Sequence, residues 1–329
     1  MGTCRALPRV ILGKCAGENL PWRHAERLMW AGRGVALVVG TVGVLIAAAT
    51  TAAASQAMTL SDGASFILRA GAGHGRAAPV TPDPVNYVAL GDSYSSGVGT
   101  GVYDAASGDC ARSPLSYPAL WAAEHRPASF GFAACSGATT DDVRASQISA
   151  LRLSTDLVTI TIGGNDAGFG PVLATCTFAR SDDTCVGAVN AAEAYARSAL
   201  PDRLARTYTE IRRAAPTARV IVLGYPRVFD LAPSCGDPLV PNLTRRGKLN
   251  EGADVLNTVI QKAVSQQPGF SFVDVRGRFD SHGVCSADPW INGPSVPPSI
   301  GRYHPNQTGY RQGYLDALDA ETARGVTAA

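Results

Sequence analysis

Five short apolar runs punctuate the chain: "NYVALG" (residues 86–91), "ASFGFAAC" (128–135), "DLVTITIGG" (156–164), "ARVIVLGYP" (218–226) and "FSFVDV" (270–275). Their apolar positions are mostly consecutive rather than alternating, the pattern of strands covered on both faces. Between them lie "SYPALWAAEH", "TTDDVRASQISAL", "AVNAAEAYARSALPDRLARTYTEIRRAAP" and "TRRGKLNEGADVLNTVIQKAVSQQ". In the third of these, Ala199, Leu200, Leu204, Tyr208 and Ile211 recur at helical spacing, so the four stretches are predicted helices. Alternation of strand and helix predicts a parallel sheet of about five strands between two helical layers, an α/β/α sandwich with right-handed crossovers. Ligands in such sheets sit beyond the carboxyl ends of the strands.

The longest apolar stretch, "GVALVVGTVGVLIAAATTAAA" (34–54), follows Arg27 and Arg33 and ends in small residues. That order describes a secretory signal, with cleavage after Ala54 or Ala57 and Met29 as an alternative start. A retained membrane anchor is the competing reading. Gly- and then Pro-rich sequence continues to Pro84. The expected organisation is a signal over residues 1–57, a flexible spacer over 58–84 and one folded domain over 85–329. The 29 basic and 27 acidic side chains are interleaved, which argues against nucleic acid as a partner.

Of eight cysteines, Cys110, Cys135, Cys176, Cys185, Cys235 and Cys285 follow the signal. In an exported chain they suggest three disulfides, although six cysteines permit 15 pairings. None has C-x-x-C spacing and the sole nearby histidine, His282 before Cys285, stands alone, so neither metal nor cofactor is expected.

Chemistry-bearing groups fall at the predicted strand ends. Ser93 follows the first strand, Gly137 the second and Asn165 the third, while His304 precedes the last helix. A serine hydroxyl attacks at neutral pH only when a base takes its proton. His282 and His304 are the candidates in the irregular C-terminal region, and His304 is preferred because Pro305 would suit the first turn of a helix with the imidazole at its mouth. The N–H groups of Ser93 and Gly137 and the Asn165 amide are suited to a developing oxyanion. Asp92 and Asp166 read as turn residues. Possible pocket walls are Tyr94, Phe169, Phe178, Val228 and Trp290.

In that order, "GDSYSSG", "CSGATT", "GGNDAGF" and "YHPNQTGY" resemble the four blocks of the GDSL/SGNH hydrolases, over most of Val85 to Ala317. "GYP" and "HGVCSADPWIN" are similar to secreted actinobacterial lipases and esterases of that family. The resemblance implies a flavodoxin-like SGNH fold, Ser93 as nucleophile, His304 as base, an oxyanion hole of Ser93, Gly137 and Asn165, and cysteines paired in sequence order. The family's aspartate three residues before the histidine is replaced by Gly301. Its carbonyl is expected to hold the imidazole, with Asp280 or Asp288 as substitutes from elsewhere. Activity should then fall as His304 protonates in mild acid. The implied function is a secreted, monomeric serine esterase or lipase acting on lipid or other esters, with transient lipid-surface contact. A glycan deacetylase, phospholipase, acyltransferase or catalytically silent binding protein are the alternatives.

Bridges in sequence order would all flank this site. Titration with a reductant is therefore expected to lower esterase activity before circular dichroism loses helix and strand signal; simultaneous loss of both would overturn that expectation.

Overall fold

The computed structural model describes residues 85–297 and 299–326; the expected signal and spacer lie outside them. β1 (Asn86–Gly91), β2 (Ser129–Phe132), β3 (Leu157–Thr161), β4 (Arg219–Leu223) and β5 (Phe270–Val273) form one parallel sheet in the order β2-β1-β3-β4-β5. β1 and β3 are buried along almost their whole length because each has a neighbour on both sides and helices above and below, whereas the edge strands β2 and β5 are only partly buried. The chain leaves β1 for one side, returns to the other, and so opens a crevice at the carboxyl ends of β1, β2 and β3.

The helices are α1 (Ser93–Ser96), α2 (Tyr117–His125), α3 (Thr140–Asp142), α4 (Phe169–Phe178), α5 (Asp182–Ser198), α6 (Leu200–Ala214), α7 (Leu243–Val264) and α8 (Asp316–Val326). α2 packs with α8 and the wide turn Gly309–Leu315 that precedes it, while α4 to α7 pack on one another. The stretch expected as one long helix is two, broken at Ala199. Pro201 has no N–H to continue α5 but suits the first turn of α6. Leu200, Leu204, Tyr208 and Ile211 are nevertheless fully buried, as their spacing predicts.

Disulfides join Cys110 to Cys135, Cys176 to Cys185 and Cys235 to Cys285. The first ties the segment after α1 to the end of β2, the second ties α4 to α5, and the third ties the loop after β4 to the segment leading to His304. That last loop is also held by Arg246, which is 2% exposed and donates to the carbonyls of Asp230 and Ala232.

At Gly99 the backbone runs against the histidine segment. Its φ is +106°, and a Cβ there would fall on the Pro305 carbonyl and 2.9 Å from His304 Cβ. Gly99→Ala is therefore expected to lower unfolding stability by about 1–3 kcal/mol, read from urea denaturation; an unchanged midpoint would show that the two segments can part freely.

Candidate active site

Why the first strand ends in so many small residues follows from the turn it makes. Gly91 has φ +123°, and a Cβ would collide with the Thr161 carbonyl and Ser95 Oγ. Gln147 grips its N–H and its carbonyl at 2.7 and 2.9 Å. Asp92 caps α1 by accepting the Tyr94 N–H at 2.9 Å, and Gly97, in the left-handed region, closes it. Ser95 Oγ accepts the Thr161 N–H and Ser96 Oγ donates to the Ser93 carbonyl. Of the three serines, Ser93 faces the cavity, as the first residue of a helical turn whose own N–H needs no intrahelical partner.

His304 Nε2 lies 2.8 Å from Ser93 Oγ. Its Nδ1 lies 2.8 Å from the Arg302 carbonyl, which can only accept, so Nδ1 carries the proton and Nε2 offers its lone pair to the hydroxyl. The carbonyl expected from Gly301 is therefore supplied by Arg302. Gly301 lies in a tight turn whose carbonyl accepts the His304 N–H at 3.2 Å and the Asn292 amide at 3.3 Å. Tyr303, with φ +59°, turns the chain so that the preceding carbonyl, that of Arg302, faces the ring. Asn292 exchanges backbone hydrogen bonds with Tyr303 and His304, and Tyr94 Oη donates to the Tyr303 carbonyl at 2.7 Å.

Pro305 does not begin the following helix. It bridges to Ile291 instead, and Asn306 caps the wide turn. Neither substitute carboxylate reaches the imidazole: Asp280 pairs with Arg227, and Asp288 pairs with His282 and Trp290. His282 stacks on Trp290 with ring centroids 3.7 Å apart, and the Trp290 carbonyl accepts the N–H of Asn306, two residues after His304.

Gly137 sits in a left-handed turn (φ +78°) after β2, and its N–H has no acceptor among the described residues. Asn165 Nδ2 donates to the Ala138 carbonyl at 2.9 Å, which sets the amide beside that turn. Asp166 does more than fill a turn: it accepts both the N–H and the hydroxyl of Thr140, clamping the β2 loop to the β3 loop. With Cys135 donating to the Gly91 carbonyl, three strand ends are fastened around one place.

Ser93, Asn165 and His304 line the head of a cavity of about 300 Å³. Its walls are mainly apolar, with Tyr94, Phe169, Leu173, Phe178, Leu239 and Ile300 among them, and Arg302 at its edge. Two expected wall residues lie elsewhere. Val228 is 1% exposed in the core, its carbonyl taken by the Val284 N–H, and Trp290 packs between His282 and Phe279. Leu239 and Ile300 escaped the sequence reading because they stand in irregular segments without periodicity; Tyr225, which also lines the cavity, was signalled only by "GYP" at a strand end.

Burial sets the protonation of the site. Loss of water lowers the His304 pKa from 6.5 to about 4, against the opposing pull of the Arg302 carbonyl. Burial likewise pushes Asp92 up to about 7, partly opposed by the Tyr225 hydroxyl. The expected loss of function in mild acid is thus displaced to stronger acid, because no carboxylate stabilises the imidazolium. Among the described residues no group of three or more His, Cys, Asp or Glu side chains could hold a metal ion.

The GDSL-like Lipase/Acylhydrolase family profile matches residues 89–312. A lipase of Streptomyces rimosus is 46% identical over 237 residues, covering 72% of this chain and 87% of the relative. Lipase 1 of Streptomyces coelicolor is 44% identical over 259 residues, covering 78% and 95%. The crystal structure of phospholipase A1 from Streptomyces albidoflavus superposes with a TM-score of 0.69 at 46% identity, covering 72% of this chain and 99% of that one.

Because the neutral imidazole is the form that takes a proton, and burial keeps it neutral, Ser93 reactivity should stay level as pH falls through 6.5 and decline only towards about 4. The rate of labelling by a fluorophosphonate, on protein shown folded by circular dichroism, measures this. Half-loss at pH 6 or above would overturn it.

Proposed function

The chain belongs to the GDSL-like Lipase/Acylhydrolase family and is a carboxylic ester hydrolase; on that premise we propose that it cleaves lipid esters through an acyl-enzyme on Ser93. The observation that carries this reading is the 2.8 Å contact between Ser93 Oγ and His304 Nε2 at the head of an apolar cavity.

As Oγ attacks the ester carbonyl, its proton passes to Nε2 while Nδ1 stays bonded to the Arg302 carbonyl. Negative charge growing on the carbonyl oxygen is met by the N–H groups of Ser93 and Gly137 and by the second hydrogen of Asn165 Nδ2. The imidazolium then returns its proton to the departing alcohol. Water attacks the acyl group by the same route, and Ser93 is regenerated. The orienting carbonyl is uncharged, so the imidazolium is held by dipoles alone and the oxyanion donors carry more of the stabilisation.

The apolar walls point to an acyl chain rather than a sugar as the group they enclose, and about 300 Å³ is at the small end of ligand cavities. Arg302, exposed at the edge of that cavity, favours a phosphodiester-bearing ester as a second substrate, in keeping with the phospholipase A1 relative. Exposed Phe178, Leu239 and Ile300 at the same mouth support brief contact with a lipid surface by a monomer. Three disulfides support a place outside the cell, where they persist. No helix among the described residues is long and apolar enough to cross a membrane.

Hydrolysis of p-nitrophenyl esters from acetate to stearate, with phosphatidylcholine alongside, tests the reading. Specificity should climb by up to about fourfold per methylene while the chain remains inside the cavity, and Ser93→Ala should lose about 10³-fold or more in kcat. A sharp preference for acetate would replace the lipase reading with a deacetylase, and an unlabelled wild type under fluorophosphonate would replace it with a binding protein.

A further inference from the structure

Tyr225 follows β4 and is 3% exposed; it lines the cavity, yet it is none of the groups given a part in attack or in holding the oxyanion. Its backbone is pinned from both sides by Asn257 of α7, which accepts the Tyr225 N–H at 2.9 Å and donates to its carbonyl at 2.8 Å. The ring stands edge-on to Tyr94, with centroids 5.1 Å apart. At its far end the hydroxyl donates to Asp92 Oδ2 at 2.5 Å and accepts the Gly164 N–H at 3.0 Å.

Both neighbours of that hydroxyl abut a group in the mechanism above. Asp92 precedes Ser93 and holds the Tyr94 N–H with its other oxygen. Gly164 precedes Asn165, and its approach to the phenol is so close that a Cβ would lie 3.1 Å from Cζ.

We propose that Tyr225 is a positioning residue whose single hydroxyl joins the turn bearing Ser93 to the turn bearing Asn165, setting the spacing between nucleophile and oxyanion donor. The proposal rests on the hydrolase reading of that site.

A phenol has one hydrogen, and here Asp92 receives it. Tyr225 therefore has none left for the ester and acts through its neighbours. Burial pushes its pKa well above the usual range, so it remains a donor throughout neutral pH. The two turns come from β1 and β3, whose last paired residues are Gly91 and Thr161. Beyond that pair, Asp92 N–H and Ser95 Oγ still hold the Ser93 turn to Thr161 of the strand itself, but it is the Asp92–Tyr225–Gly164 link that reaches the turn bearing Asn165.

The test is steady-state kinetics on a soluble p-nitrophenyl ester for Tyr225→Phe, Asn165→Ala and the double variant. Tyr225→Phe keeps the ring and removes the joint, so kcat should fall by about 10- to 100-fold with KM within about twofold of wild type. In the Asn165→Ala background the same change should cost less than about threefold, because the donor it positions is gone. A kcat within about twofold of wild type, or losses that simply multiply in the double variant, would overturn the proposal. A merely structural tyrosine would lower the unfolding midpoint and leave kcat per folded molecule unchanged. Should Tyr225→Phe fail to fold, Asp92→Asn serves in its place. It keeps the volume but presents an amide to the hydroxyl, and the same kcat-selective loss is expected. Inactivity of the wild type would strike the hydrolase reading itself and is separable from all these outcomes.

Discussion

A hydroxyl and an imidazole separated by 211 positions of chain meet at 2.8 Å, and proton transfer between them tolerates an error of only a few tenths of an ångström before the hydrogen bond weakens. Neither partner is on a long rigid element. Ser93 begins a one-turn helix and His304 lies in an irregular segment. Their meeting is therefore imposed by what surrounds them: a glycine at position 99 that lets the two backbones touch, a tyrosine at 94 bonded to the Tyr303 carbonyl, and Asn292 laced to the histidine segment.

The imidazole is held without a carboxylate. An ionised partner would have raised its pKa and steadied the imidazolium; the Arg302 carbonyl fixes the tautomer but offsets only part of the desolvation. The site gives up charge compensation and in return keeps its base unprotonated over a wider acidic range. The buried carboxylate nearby, Asp92, is turned away from His304 and towards Tyr94 and Tyr225. The carboxyl group in this site thus serves to organise turns rather than to orient the base.

Three parallel strands end side by side, and each end is tied to the next by side chains. Gln147 grips the β1 end, Asp166 clamps the β3 loop to the β2 loop, and Cys110–Cys135 ties the β2 end to the segment after α1. Parallel pairing aligns the carboxyl ends but leaves the loops beyond them free, so every such tie restrains a group that the sheet cannot. Burial of these polar groups is tolerable because each is satisfied.

Much of this was legible in the residue pattern. Consecutive apolar runs located all five strands: the central β1, β3 and β4 have no solvent face to record, and the partly buried edge strands β2 and β5 still carry short apolar runs. Ser93, Gly137, Asn165 and His304 stood out because their types and order match one chemistry. The rest required the folded chain. Whether Gly301 or Arg302 turns its carbonyl to the imidazole depends on one positive φ at Tyr303, which no local pattern records. Val228 and Trp290 have the composition of cavity walls yet are spent on the core and on His282, while Leu239 and Ile300 reach the cavity from segments without periodicity. Local sequence encodes which groups exist and on which element they begin. Distances, solvent exclusion and the depressed basicity of His304 are sums over neighbours distant in the chain, and only the tertiary structure brings those neighbours together.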